Sequence, residues 1–257
     1  MSALLRSHVL SVPFENLDVQ LGTPLTTAVE AAFDKIVNRR RGGWCYEQNG
    51  VFGWALSEIG FDVTRVAAHV MRADRGPEAA NNHLSLLVGI PDRQGLRYLV
   101  DVGFGGSLLQ PLELAEQASV QAPFRVGLRR LEDGHWQFWE NHGDGDFSFD
   151  FLAEPGDEDA LAAKCVDLQR NPTSSFVLNL VAQRRAPDRH TTLRGRVLKV
   201  VTPTATRSDT LESESRFVAV LEDTFGLRVP GMAELWPRVV ARHDEFMRER
   251  ESGTDTG

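Results

Sequence analysis

Cys45 sits in the segment Arg41-Gly-Gly-Trp-Cys-Tyr-Glu-Gln-Asn49, behind two glycines and ahead of an apolar run with helical spacing. The glycines permit a tight turn straight into a helix, which puts the thiol in the first helical turn. There the unpaired N–H groups and the helix dipole favour the thiolate, the nucleophilic form of cysteine. The plainer alternative is a buried cysteine acting as a small hydrophobe, the commoner fate of this residue.

Two further segments bear on that choice. Asn81-Asn-His-Leu-Ser-Leu-Leu-Val-Gly-Ile90 and Leu96-Arg-Tyr-Leu-Val-Asp-Val-Gly-Phe-Gly105 flank the turn-rich Pro91-Asp-Arg-Gln-Gly95, a five-residue hairpin loop. If Ile90 pairs with Leu96, partner numbers sum to 186, His83 faces Gly103 and Ser85 faces Asp101. His83 and Asp101 then share one sheet face as diagonal neighbours. A register slip of one residue would send them to opposite faces. Leu84, Leu86, Val88 and Ile90, with Tyr98, Val100 and Val102, fill the other face as core. Cysteine, histidine and a carboxylate supply nucleophile, base and orienting group. His69, His135 and His142 come with no such partners and read as satisfied polar groups. A metal site would need a third or fourth nitrogen or sulfur ligand, and no spacing in the sequence supplies one.

The elements that must position these groups follow an α+β order. Up to about residue 60 the pattern is helical: Thr26 or Thr27 caps a helix through Ala31, Phe33 and Ile36, and a second runs from Cys45 to Ile59 with Gly60 as its C-cap. Short strands follow at 63–70, 83–90, 97–104 and 136–139. Beyond about residue 160 the pattern is mixed, with a strand at 196–201, amphipathic helices at 212–225 and 233–248, and a frayed tail from Ser252.

Composition narrows the function. The chain has 257 residues, 42% hydrophobic and 25% charged, with 36 acidic residues against 28 lysines and arginines, a net charge of −8. That balance argues against a nucleic-acid partner, which a basic surface would serve, and Arg39-Arg40-Arg41 is too short a run to reverse it. No apolar run approaches the roughly 20 residues that span a bilayer, and the first residues lack the pattern of a secretory signal. Two cysteines 120 residues apart make no disulfide scaffold, so a reducing cytoplasm fits and any special cysteine acts as a thiol.

Taken together, these segments resemble the arylamine N-acetyltransferase family. Arg41-Gly-Gly-Trp-Cys45 with Glu47-Gln48-Asn49 is similar to the family's nucleophile motif, and Asn82-His83-Leu84 to its histidine strand. Asp101-Val-Gly-Phe-Gly-Gly106 is similar to its aspartate turn, and Val12-Pro-Phe-Glu-Asn-Leu-Asp18 to the segment that precedes the cysteine. Asn171-Pro-Thr-Ser-Ser-Phe176 resembles a later, looser motif; the likeness is ordered and runs to about residue 230. The resemblance implies a helical bundle over 1–60 carrying the cysteine, a β-barrel-like domain over 61–168 carrying histidine and aspartate, and an α/β lid over 169–257. It implies acetyl-CoA as co-substrate, no metal, and ping-pong transfer of acetyl to an arylamine, hydrazine or arylhydroxylamine. Cys45 would be the nucleophile, His83 the base and Asp101 its orienter.

With the same resemblance go contacts to the acceptor at Phe104 and Trp44, and to CoA at Gly105, Gly106 and Ser107, although a plain Gly-Gly turn explains the glycines equally well. Arg41 and Glu15 are expected to form a buried ion pair, the alternative being two separately solvated charges. A homodimer is compatible with the sequence, as is a cytoplasmic location. Family members carry more helix ahead of Pro13-Phe-Glu-Asn16, so either the start lies upstream or the bundle loses packing surface. The same triad serves cysteine hydrolases, transglutaminases and enzymes that close macrolactams, while a folded but inactive binding protein would have no need of Cys45, His83 and Asp101 together.

Overall fold

The computed structural model describes residues 1–254 other than 92, 94 and 142–145, with the backbone alone for 250–254. The hairpin loop after Ile90 therefore lies partly outside the described residues, as do His142 and the last three residues of the tail.

The first part is helical: α1 (Ser2–Ser11), α2 (Leu17–Leu21), α3 (Val29–Phe33) and α4 (Cys45–Ile59), with the short strand β1 (Phe14–Glu15) between α1 and α2. Helix α4 has the expected bounds and stops where Gly60 turns left-handed at φ 100°. Its apolar stripe is core only in part: Phe52 and Leu56 are buried, while Ile59 is 60% exposed. Ala28, not Thr26 or Thr27, is the N-cap of α3, and that helix continues as a π-helical turn over Asp34–Asn38.

Strands β2 (Asp62–Val70), β3 (His83–Gly89), β4 (Arg97–Val100), β5 (Leu112–Glu113), β6 (Gln117–Gln121), β7 (Phe124–Arg130), β8 (Trp136–Asn141) and β9 (Asp146–Phe151) build an antiparallel sheet. Its order is β5-β4-β3-β2-β9-β8-β7-β6, and the four-residue helix α5 (Arg72–Arg75) follows β2. The sheet is the expected barrel-like unit, curled without closing: among the described residues no ladder joins β5 to β6. Its curl brings Leu112 of β5 and Val126 and Leu128 of β7 into one core with Leu86, Leu99 and Phe149. A second sheet follows, of β10 (Val181–Ala186), β11 (Arg189–Arg194), β12 (Val197–Val201) and β13 (Thr206–Thr210), in the order β1-β10-β11-β12-β13. Helices α6 (Glu158–Arg170), α7 (Ser175–Leu178), α8 (Glu214–Ala219) and α9 (Trp236–Thr254) accompany it, and α9 extends as far as Thr254, into the start of the segment expected to fray. Strand β1 ties the first helices to the last sheet, since Phe14 and Glu15 pair with Gln183 and Ala182.

The Glu15–Arg41 pair belongs to a larger buried cluster beneath α4. Arg41 Nη2 lies 2.7 Å from Glu15 and 3.0 Å from Asp18, and Lys35 Nζ lies 2.8 Å from Asp18, 3.0 Å from Glu47 and 3.7 Å from Glu15. Two cations thus face three carboxylates. Burial pushes the Glu47 carboxyl up to about 7, with the Glu15 charge adding to it and Lys35 opposing. Glu47 Oε2 also accepts the Trp44 N–H at 3.2 Å, so the cluster caps the helix that carries Cys45. Removing a buried cation leaves its partners as uncompensated charge. Lys35→Met is therefore expected to destabilise the fold by about 3–5 kcal/mol in urea unfolding. Arg39→Ala, which breaks an exposed pair with Asp34, should cost less than about 1 kcal/mol.

Candidate active site

The register of the histidine hairpin is the expected one: Leu86 pairs with Val100, Leu87 with Leu99 and Val88 with Tyr98. The second strand is shorter than expected, ending at Val100 rather than at Phe104. The reason is side-chain capture of the next amides. Asn49 Oδ1 accepts the Val102 N–H at 2.9 Å, and Asp101 Oδ1 accepts the Gly103 N–H at 2.8 Å. Neither amide is free to extend the ladder, and the chain turns toward α4. Asp101 reaches His83 from this turn rather than as a strand neighbour.

His83 Nε2 and Asp101 Oδ2 lie 2.6 Å apart, both side chains nearly without solvent contact. Burial disfavours the imidazolium, but the Asp101 carboxylate and the Cys45 side chain outweigh it, and His83 is pushed up to about 10. The same pairing holds the Asp101 carboxyl below its usual range against the effect of burial, with Asn49 Nδ2 donating at 3.0 Å. Cys45 and His83 stand on the same cavity wall, close enough for the cysteine to favour the charged imidazole. Cysteine, imidazole and carboxylate thus stand in the order that nucleophilic catalysis requires. A side chain at Gly103 would place its Cβ 2.6 Å from the Cys45 Cα, so only glycine lets the aspartate turn lie against the first turn of α4.

Cys45 and His83 line a cavity of about 170 Å³ whose other walls include Phe14, Phe104, Phe147 and Phe176. Phe104, Phe147, Gln183 and Arg194 also line a second, larger cleft of about 760 Å³ at β11, β12 and α9. Phe104 stacks on Phe147 with centroids 4.9 Å apart and an interplanar angle of 16°. The segment Phe14-Glu-Asn16 serves three contacts in a row. Phe14 is wall, Glu15 joins the ion cluster, and Asn16 Nδ2 donates to the carbonyls of Phe176 (2.9 Å) and Asn179 (2.8 Å), holding α7 over the cavity.

Residues 1–234 match the N-acetyltransferase family. The chain is 37% identical to an arylamine N-acetyltransferase of Mycolicibacterium smegmatis over 91% of its own length and 86% of the relative's. The chain belongs to the arylamine N-acetyltransferase family. Its fold is similar to that of the M. smegmatis enzyme, with a TM-score of 0.84 at 35% identity over 93% of this chain and 89% of the other. It is also similar to the Mycobacterium marinum enzyme solved in complex with CoA, with a TM-score of 0.82 at 33% identity over 95% and 91%.

Within the family frame, the residues expected to contact substrates divide. Phe104 faces the cavity, as expected. Trp44 does not: it is fully buried, packed edge-on against Tyr46 and against Phe176, which itself forms the wall. Gly105, Gly106 and Ser107 are absent from both linings. The two glycines turn at φ 77° and 94° beneath β10, the Gly105 carbonyl meets His190 Nε2 at 2.7 Å, and the Ser107 hydroxyl donates to the Phe104 carbonyl. These contacts are those of a turn that supports Phe104 from behind. Cys165 sits on α6, where burial and the nearby Cys45 push its thiol up to about 12 and keep it protonated. His69 accepts the Asn81 N–H through Nδ1, as a satisfied polar group.

Asn49 was visible in the nucleophile motif, but only the fold shows its role. It lies four residues after Cys45, one helical turn away, and its amide joins Leu84, Asp101 and Val102. Asn49→Leu is expected to slow iodoacetamide labelling of Cys45 by about tenfold while leaving the circular dichroism spectrum native. Labelling at the wild-type rate would exclude a positioning role. The raised His83 value also has a stability consequence. A histidine charged in the fold stabilises it fully below about pH 6.5, and loses that contribution as pH rises through about 10. The stability gap between wild type and His83→Gln should therefore be widest near pH 6 and narrow toward pH 10 in urea titrations.

Proposed function

We propose that this protein transfers an acetyl group from acetyl-CoA to the nitrogen of arylamines or hydrazines, or to the oxygen of arylhydroxylamines, through an acetyl-Cys45 thioester. The observation that supports it most is the pairing of His83 with Asp101 beside Cys45 in a cavity with aromatic walls. Cys45 as thiolate attacks the thioester carbonyl, and the oxyanion is met by the Cys45 N–H, which lies in the first helical turn where backbone N–H groups lack intrahelical acceptors. The carbon–sulfur bond to CoA breaks, and the leaving thiolate takes a proton from the His83 imidazolium. In the second half the amine attacks the acetyl-cysteine, its proton passes to His83, and Cys45 leaves as thiolate. Asp101 keeps the imidazole oriented in both halves.

Phe104 and Phe147 would stack the acceptor ring, and Trp44 would hold Phe176 in place. CoA would lie along the larger cleft past Phe104, where Arg238, Arg242 and Lys199 line the wall, rather than over the Gly105–Ser107 turn. A cytoplasmic setting goes with the unpaired thiols, and no helix among the described residues is long and apolar enough to cross a membrane. Division at 60/61 and 168/169 and a homodimeric state complete the proposal.

Mixing the protein with acetyl-CoA and no acceptor tests it by mass spectrometry. One acetyl group is expected on the Cys45 peptide, lost on adding an arylamine with appearance of its amide. Cys45→Ala should abolish turnover and Cys165→Ala leave it nearly intact. A thioester that hydrolyses at once without acceptor points to a hydrolase, and one formed only from long acyl donors to an enzyme that closes lactams.

A further inference from the structure

His190 is buried on β11, directly opposite Arg185 of β10, and the transfer chemistry uses neither. Both side chains leave the second sheet and enter the curled one. Arg185 Nη2 donates to the Gln121 carbonyl at the end of β6 at 2.8 Å, and the guanidinium lies over the Phe124 ring, 5.3 Å from its centroid. The His190 ring stands edge-on to the same phenylalanine, with centroids 5.2 Å apart. Its Nε2 lies 2.7 Å from the Gly105 carbonyl oxygen, which can only accept, so Nε2 carries the proton and donates. This bond ties the second sheet to the turn that carries Phe104.

Phe104 in turn packs on the imidazole of the triad. Its ring centroid is 5.3 Å from that of His83, and Phe149 approaches the same imidazole at 4.9 Å, leaving the His83 side chain 3% exposed. The chain after Phe104 does little to fix that ring, because Gly105 and Gly106 stand at φ 77° and 94° and glycine has many neighbouring conformations open to it. A donor from another sheet on the carbonyl between them removes that freedom.

We infer that His190 is a positioning residue that keeps Phe104 over His83 and so decides whether acetyl-Cys45 waits for an amine or is lost to water. This role deepens the acetyl-transfer reading and rests on it. In the loss, a water oxygen attacks the thioester carbonyl and its proton passes to neutral His83. The carbon–sulfur bond then breaks, and acetic acid leaves with Cys45 restored as thiolate. That water needs the imidazole as its base, and a ring packed on the imidazole withholds it. An arylamine arrives through the cavity, whose aromatic walls favour it over water.

The test uses two amides of different reach. In His190→Gln the side-chain nitrogen takes the place of Nε2 and can donate to Gly105, whereas in His190→Asn it stops near the place of Nδ1 and cannot. Each protein is loaded with 4-nitrophenyl acetate, a donor without the CoA moiety, so that the place of His190 in the wall of the larger cleft does not enter. The half-life of acetyl-Cys45 is then followed by mass spectrometry, with aniline and without acceptor. Without acceptor, wild type and His190→Gln are expected to keep the thioester equally long, and His190→Asn to shorten its half-life about tenfold. Transfer to aniline should change far less, and iodoacetamide should label free Cys45 at one rate in all three, since Asp101 and Asn49 hold the triad. A His190→Asn half-life equal to that of wild type overturns the inference. So does a His190→Gln half-life as short as that of His190→Asn, or labelling that slows in step with a shortened half-life, which would mark a general loosening of the site. Phe104→Leu gives an independent check: it should shorten the half-life to the same extent, and adding His190→Asn should shorten it no further. Effects that simply add overturn the route through Phe104. Wild type that acquires no acetyl group overturns the acetyl-transfer reading itself.

Discussion

The Asn49 amide is the contact on which the site's geometry depends. It leaves α4 one turn below Cys45, donates to the Leu84 carbonyl at 2.6 Å and to Asp101 at 3.0 Å, and accepts the Val102 N–H at 2.9 Å. One side chain thereby joins the nucleophile helix, the histidine strand and the aspartate turn. Cys45, His83 and Asp101 come from segments up to 56 residues apart in the chain. Without a shared fixed point, their separation would depend on sheet-to-helix packing alone. Gly103 is the steric complement of that amide, because the turn can be held against α4 only where no Cβ intervenes.

Much of this was legible in the sequence because it follows from local rules. The bounds of α4 come from a glycine-led start and a glycine C-cap, and the hairpin register comes from a short loop with an apolar face on either side. What sequence reasoning missed follows from tertiary contacts. Strand β4 stops at Val100 because Asn49, 53 residues from Val102, captures the next amide. Strands β10, β11 and β13 escaped notice because Gln183-Arg184-Arg185, His190-Thr191-Thr192 and Thr206-Arg-Ser-Asp-Thr210 have no apolar alternation. Strand β13 is exposed along its whole length and is a strand only through its ladder with β12.

Beneath the first turn of α4, charge takes the place of apolar packing. Glu15, Asp18, Lys35, Arg41 and Glu47 come from four elements or their connections and meet in one buried group. Sequence reasoning reached the Glu15–Arg41 pair because both residues sit in motifs. Lys35 escaped it, lying in a π-helical turn whose widened path sets the ammonium among three carboxylates. Such a group is expensive to desolvate and therefore unforgiving of misplacement. That property suits a position where Glu47 must cap Trp44 so that Cys45 begins the helix.

The electrostatics of the triad and of the cavity beside it then oppose one another in a useful way. At the end that holds Cys45, the Asp101 carboxylate lies against one imidazole, which is why His83 keeps its proton despite its burial. Across the cavity, Arg75 and Arg194 have no such partner, and the Phe104–Phe147 stack stands on the wall shared with the outer cleft. The buried imidazole is thus balanced from within the fold, whereas the two guanidiniums are left to solvent.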